Sequence, residues 1–226
     1  MRDEPNAIYT DSSFVDDDYG GMYRKGLTGY IFKHIHKVLE ESLPLYCQGG
    51  RVILEVGAGD GHIGYLKHSF QEYFLTDASQ EVLEHARAVN SDSRVKFTMT
   101  LAEKLPFADH AFDRLIACNV LEHIYHPHEA LREWNRVVRP GGIISLILPC
   151  DPGLAWRMGR LVSSTRRLML RKGLPYEYVM AREHVNPIGN LVSIIRYHFE
   201  NIHELWWPLR IHSTDANLFY CAHIIV

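Results

Sequence analysis

The apolar positions of this chain change period several times, and each change predicts an element. From Leu27 to Leu45 the residues Leu27, Ile31, Ile35, Val38 and Leu39 recur at helical spacing, closed off before Pro44. Beyond it, RVILEV (51–56) predicts a strand, Gly61 to Phe70 a helix, EYFLT (72–76) a strand, and Ser79 to Asn90 a helix that Ser79 can cap. VKFTM (95–99) and DRLIACNV (113–120) predict two more strands. Pro127 to Val138 predicts a helix stopped by Pro140, Gly141 and Gly142, and IISLILP (143–149) a fifth strand. Residues 150–183 break the alternation with a helical insertion, after which Gly189 to Phe199 resumes helix. IHELWW (202–207) and LFYCAHIIV (218–226), joined through turn-like residues at Ser213 to Asp215, predict an antiparallel hairpin at a sheet edge.

Strands that are apolar on both faces and separated by helices predict an α/β fold, a mostly parallel sheet covered on both sides. The chain reads as one elaborated domain, 27–226, with its helical insertion at about 150–186. Residues 1–26 read as an N-terminal arm or lid, acidic and glycine-bearing, with Asp16, Asp17 and Asp18 in a row. No internal repeat or low-complexity segment interrupts this pattern.

Composition narrows the picture only a little. At 226 residues and 46% hydrophobic the chain can bury a sizeable core, and a net charge of −3 with 23% charged residues argues neither for nor against nucleic acid. The first residues contain no apolar signal region, and no run approaches the roughly 18 apolar residues of a membrane span, so a cytoplasmic location is expected. Cys47, Cys118, Cys150 and Cys221 are widely spaced without a CxxC pair and read as free thiols rather than disulfides or metal ligands.

Candidate chemistry concentrates in ILEVGAGDG, where Gly57, Gly59 and Gly61 follow the first strand. Open parallel sheets bind ligands beyond the carboxyl ends of their strands, and glycines there let backbone approach the ligand, with Gly61 expected to open a helix. Asp77, at the end of the second strand, can accept hydrogen bonds from two ribose hydroxyls. These features suit either a dinucleotide or S-adenosylmethionine, and a bare tight turn is the plain alternative. The GxGxG spacing departs from the dinucleotide pattern, and the Glu55 carboxylate would repel a pyrophosphate but suit a cationic sulfonium.

The ordered set ILEVGAGDG, LTDAS, AEKLPFADHAFDRL, CNVLEHI and LREWNRVVRPGG, over roughly Val52 to Leu148, resembles the class I S-adenosylmethionine-dependent methyltransferases of the small-molecule, type 11 group. The resemblance implies a Rossmann-like, seven-stranded, mostly parallel sheet with an antiparallel last strand, helices on both faces, and the insertion after strand 5. It implies S-adenosyl-L-methionine as cofactor. Glu55, Gly57, Ala58 and Gly59 would lie around its methionine part, Asp77 on the ribose and Ala78 against the adenine. Ala102 and Glu103 would lie at the adenine edge, with Asn119 and Val120 closing the pocket. Where the family often has an acidic residue for the adenine amino group, this chain has Leu101, leaving the backbone of Leu101 and Ala102 to read that edge. Tyr23 and Arg24, beside the arm, fall where the family often carries a lid, and serve either the cofactor carboxylate or helix packing.

Methyl transfer from a sulfonium is an in-line displacement on an already activated carbon, so positioning supplies much of the acceleration and a base is needed only for a hydroxyl or charged amine. His184, after the insertion, is the candidate base, with a surface or capping histidine as the plain alternative. His123 reads as orienting its loop, and His123, His126 and His128 lack the accompanying ligands of a metal site, so no metal is expected. Between Pro152 and Tyr176 there is no acidic residue but Arg157, Arg160, Arg166, Arg167, Arg171 and Lys172, which suits a solvated face, an anionic acceptor, or peripheral membrane contact through 152–172. The expected activity is methylation of a hydroxyl, or an amine, on a small molecule such as a sugar or natural-product precursor, anionic or carrier-linked. Nucleic acid is not expected as a partner. A quinone-type acceptor, a non-catalytic S-adenosylmethionine-binding regulator and a dinucleotide oxidoreductase remain as alternatives.

Overall fold

Five largely apolar runs, rich in β-branched residues, build the parallel part of one sheet. The computed structural model describes residues 26–45, 52–59, 61–171, 173 and 175–226. Its strands are β1 (Val52–Val56), β2 (Glu72–Asp77), β3 (Val95–Met99), β4 (Phe112–Cys118), β5 (Val138–Pro149), β6 (Ile202–Trp207) and β7 (Phe219–Ile225). They lie in the order β3-β2-β1-β4-β5-β7-β6. Pairs among the first five are parallel, and β7 runs antiparallel between β5 and β6. This is the Rossmann-like, seven-stranded architecture expected. Strand order reverses between β1 and β4, which opens a crevice beyond their carboxyl ends.

The helices are α1 (Gly26–Glu41), α2 (Gln80–Val89), α3 (Pro127–Val137), α4 (Leu154–Val162), α5 (Ser164–Arg171), α6 (Tyr176–Glu183) and α7 (Ile188–His198). Alternation along the strands separates two cores. Leu54, Leu115, Ile144 and Tyr220 pack with Trp134 of α3 and Leu191 of α7, whereas Ile53, Ile116 and Cys221 pack with Leu39 of α1 and Leu83 of α2. The insertion forms α4, α5 and α6. The expected arm, 1–26, lies outside the described residues except for Gly26, which opens α1.

Ser79 caps α2 as expected, its hydroxyl accepting from Val82 N at 3.3 Å. Two expectations are corrected. Gly61 to Phe70 is not a helix: it holds a single 3-10 turn, Ile63–Tyr65. Ile63, Leu66 and Phe70 do pack against the core, which produced the helical spacing, but Gly61 (φ 79°) and Gly64 lie within it and Gly61 takes a conformation no right-handed helix contains. Among the described residues, Gly61 therefore does not open an α-helix. Likewise Pro140, Gly141 and Gly142 do not stop α3: the chain turns extended at Val138, and those residues form the start of β5, exposed at Pro140 and Gly141 and buried at Gly142. Gly142 is required there, because an added Cβ would lie 2.8 Å from Arg139 O and 2.9 Å from Asp113 O.

Candidate active site

A cavity of about 1320 Å³ occupies the crevice. Glu55, Gly57, Ala58, Gly59, Asp77, Ala78, Leu101, Ala102, Glu103, Asn119 and Val120 all line it, and so does His184. Tyr23 and Arg24 lie outside the described residues.

The glycine loop is held from below. Thr76 O accepts both Gly57 N and Ala58 N at 2.9 Å, and Gly61 N closes on Ala58 O at 2.6 Å. Glu55 is 2% exposed and uses both oxygens within the protein: Oε1 accepts His62 N at 2.7 Å, and Oε2 accepts the Tyr73 hydroxyl at 2.6 Å. Burial pushes its carboxyl up to about 8, against these two donors. The geometry thus gives Glu55 a loop-anchoring task as well.

Gly57 has φ 74°, and a Cβ added to it would lie 2.3 Å from Val120 Cγ2. Gly57→Ala is therefore expected to destabilise the fold by about 1–3 kcal/mol through backbone strain and overpacking. Gly59→Ala should cost less, because its added Cβ meets nothing nearer than Gly57 O at 4.0 Å. Urea denaturation of the two variants measures the difference, and equal costs would refute the close approach to Val120.

Asp77 is half-buried at the tip of β2 and accepts Ser79 N at 2.9 Å. Burial raises its carboxyl above the ordinary aspartate value, opposed by amides of Ser79, Gly59, Ala58 and Ala78. Asn119 takes φ 55° and donates its N–H to Ile147 O at 2.8 Å, which fixes the exit from β4. Leu101, 61% exposed, stands at the rim. The Ala102 carbonyl already accepts Trp134 Nε1 at 2.9 Å, so one of its lone pairs is committed to the core.

On the other side of the cavity, His184 Nδ1 lies 2.9 Å from Asp151 Oδ2, with both side chains mostly buried. Burial acts to raise the Asp151 carboxyl, but His184 and Arg160 together hold it below its usual range. The His123 ring meets His184 edge-on, with centroids 4.9 Å apart, and His123 Nδ1 donates to Glu183 O at 2.8 Å. Burial, reinforced by His184, lowers His123 to about 4, so it stays neutral and braces its neighbour. With Nδ1 against a carboxylate, His184 has Nε2 left for a cavity occupant.

Sequence reasoning missed two residues here. Asp151, the partner of His184, lies just inside the insertion, where nothing in the local sequence singles it out. Glu122, inside the LEH stretch, drew no notice beside His123, although both line the cavity. Glu122 is 2% exposed and its Oε2 meets no hydrogen-bond partner among the described residues. Burial, with Asp151 adding to it, pushes the Glu122 carboxyl up to about 8 from an ordinary 4.5. The folded state thus holds that proton more tightly than the unfolded chain, and the stability this group contributes is lost as pH rises from about 4.5 to about 8. Glu122→Gln cannot ionise, so it should gain stability relative to the unaltered protein between about pH 5 and about pH 8. Denaturation midpoints at the two pH values test this, and a constant gap between the proteins would refute it.

The arginines of the insertion do not converge. Arg160 alone among Arg157, Arg160, Arg166, Arg167 and Arg171 lines the cavity, and its guanidinium is shared between Asp151 at 3.5 Å and Glu177 at 3.3 Å. Arg157, Arg167 and Arg171 are exposed. Lys172 lies outside the described residues.

Residues 54–146 match a family described as a methyltransferase domain. Among curated proteins, the chloroplastic 2-methyl-6-phytyl-1,4-hydroquinone methyltransferase 1 of Oryza sativa subsp. japonica is 35% identical over 115 residues, 50% of this chain and 34% of that protein. A ubiquinone/menaquinone biosynthesis C-methyltransferase of Neisseria meningitidis serogroup A is 25% identical over 150 residues, 61% of each chain. This chain therefore spans about one third to three fifths of these relatives' length. Among solved structures, the N-methyltransferase NodS of Bradyrhizobium japonicum, in complex with S-adenosyl-L-homocysteine, superposes with a TM-score of 0.68 at 15% identity, over 97% of this chain and 99% of that one. No helix among the described residues is long and apolar enough to cross a membrane.

Proposed function

Because residues 54–146 carry a methyltransferase domain within the class I Rossmann-like fold, we propose that the protein transfers a methyl group from S-adenosyl-L-methionine to a small-molecule acceptor. The observation that carries this reading is the single cavity that joins the glycine loop and Asp77 to the His184–Asp151 pair. Asp77 accepts the ribose hydroxyls, the backbone of Gly57 to Gly59 runs beside the methionine part, and Leu101 and Ala102 border the adenine. Bound there, the cofactor supplies an electrophilic methyl group. The chain supplies position, a dry enclosure and a proton acceptor.

The acceptor bears an ionisable hydroxyl on a largely apolar body. His184 Nε2 takes the hydroxyl proton while Asp151 stabilises the resulting imidazolium. Trp156, Phe219, Met169 and Met180 supply apolar wall on the acceptor side. A deprotonated phenolic oxygen is itself a nucleophile and also enriches the ring carbon beside it, so one base serves O-methylation or C-methylation of a phenol or hydroquinone. The hydroquinone reading has additional support from the relatives' printed activities. An anionic acceptor has less support, since Arg160 is already paired. On α4, exposed Leu154, Met158, Leu161 and Val162 beside Arg157 support delivery of the acceptor from an anionic lipid surface.

Calorimetric titration with S-adenosylmethionine and with NAD separates this reading from a dinucleotide enzyme. Incubation with a panel of phenols and hydroquinones, followed by mass spectrometry, then looks for the added methyl group. Binding with no transfer to any acceptor would favour a regulatory role, and binding of NAD alone would overturn the proposal.

A further inference from the structure

Among the described residues, three metal-ligating side chains from separate elements meet at one point: His36 on α1, His62 just after the glycine loop, and Cys118 at the end of β4. Their ligand atoms all lie within 4.8 Å of one another. His36 Nδ1 is 2.7 Å from His62 Nδ1, and Cys118 Sγ is 3.8 Å from the same nitrogen. We propose that these residues bind one divalent transition-metal ion of the zinc class, with an open coordination position toward the cavity. This inference does not depend on methyl transfer.

The supporting structure around His62 decides which atom faces the cluster. His62 is fully buried, and its Nε2 lies 2.9 Å from Glu40 Oε1. Glu40 is 3% exposed and pairs with the equally buried Arg114 at 2.7 Å. Against the Arg114 guanidinium, Glu40 is a carboxylate and can only accept. The His62 proton therefore sits on Nε2, and the Nδ1 lone pair points into the cluster. A carboxylate behind an imidazole is the arrangement that orients histidines on metals. Arg114 is itself fixed by Ser145 Oγ at 2.9 Å, and the His36 ring is stacked on Tyr65 with centroids 4.7 Å apart.

The spacing fits a borderline-soft ion. Tetrahedral zinc places two nitrogens about 3.3 Å apart and a nitrogen and a sulfur about 3.6 Å apart. The Cys118 to His62 distance already approaches that, whereas the two imidazoles must part by about half an ångström, breaking the hydrogen bond between them. On binding, the Cys118 thiol proton leaves to solvent and the His36 proton moves from Nδ1 to Nε2. Three protein ligands leave a fourth position, and because His36 and Cys118 line the cavity, an occupant's hydroxyl, thiol or carboxylate oxygen can take it.

Metal-free protein is titrated with cobalt(II), followed by visible and near-ultraviolet absorption, and then with zinc. The expected result is one equivalent of tetrahedral cobalt per chain with a thiolate charge-transfer band, displaced by zinc. Cys118→Ser should lose that band and weaken binding at least tenfold, and His36→Asn, at a half-buried position, should weaken binding comparably. His198→Asn, on the exposed end of α7, should leave both unchanged. Thermal denaturation establishes that each variant is folded, and the band on the unaltered chain stands as evidence should a variant fail. Substoichiometric uptake, a cobalt spectrum without the thiolate band, or full affinity in both folded variants would overturn the proposal and leave a hydrogen-bonded histidine pair.

Discussion

Asp77→Ala is expected to weaken S-adenosylmethionine binding roughly 100-fold, the largest effect on affinity of any single change at the site. A carboxylate that accepts two ribose hydroxyls makes two charge-assisted hydrogen bonds, each worth about 1.5–3 kcal/mol, and a loss of about 3 kcal/mol is roughly two decades of affinity. The Asp77 side chain also accepts Ser79 N, so the variant loses a local tie at the start of α2. Asp77→Asn separates the two effects, because its amide oxygen can still accept Ser79 N but offers a neutral acceptor to the ribose. Calorimetric titration of both variants, with denaturation curves alongside, makes the measurement. Unchanged cofactor affinity in folded Asp77→Ala protein would remove the ribose assignment and with it the proposed orientation of the cofactor.

His184→Ala should leave cofactor affinity intact and lower turnover at least tenfold, since a positioned general base typically contributes 100-fold or more. The separation follows from geometry: His184 belongs to the acceptor side of the cavity, with Asp151 behind it and His123 braced edge-on, and the glycine loop belongs to the other. Turnover is read with whichever phenolic or hydroquinone acceptor supports transfer by the unaltered protein. Asp151→Asn should fall in the same direction by less, because the imidazole remains while its charged partner is lost. Full turnover in His184→Ala would take the histidine out of the mechanism and leave positioning as the only contribution from this side.

Legibility from the sequence followed locality. VKFTM and IHELWW appear as strands with the boundaries expected, and Ser79 caps its helix, because strand pattern and capping chemistry act over a few residues. All of the described cofactor-side candidates line one cavity for a related reason: they sit at strand ends, and strand order alone brings strand ends together. The helix expected over Gly61 to Phe70 does not form, because Ile63, Leu66 and Phe70 satisfy helical spacing by packing on the core without a helix. The charge of Glu55 is legible along the chain, whereas its partners, Tyr73 on the neighbouring strand and a backbone amide beyond the loop, are not. Pairs such as His184 with Asp151, or His36 with His62, join residues from different elements, and no period along the chain registers them.

The place of β7 has a consequence for synthesis. Among the described strands β6 pairs only with β7, which is made after it and wedges between β6 and β5 in the opposite direction. On the ribosome, then, the aromatic strand ending in Trp206 and Trp207 emerges with nowhere to dock, and β5 offers a bare flank, until Phe219 to Ile225 has cleared the exit tunnel. A pause in translation between the two would hold the nascent chain in its most adhesive state, so that interval is where a chaperone has the most to do.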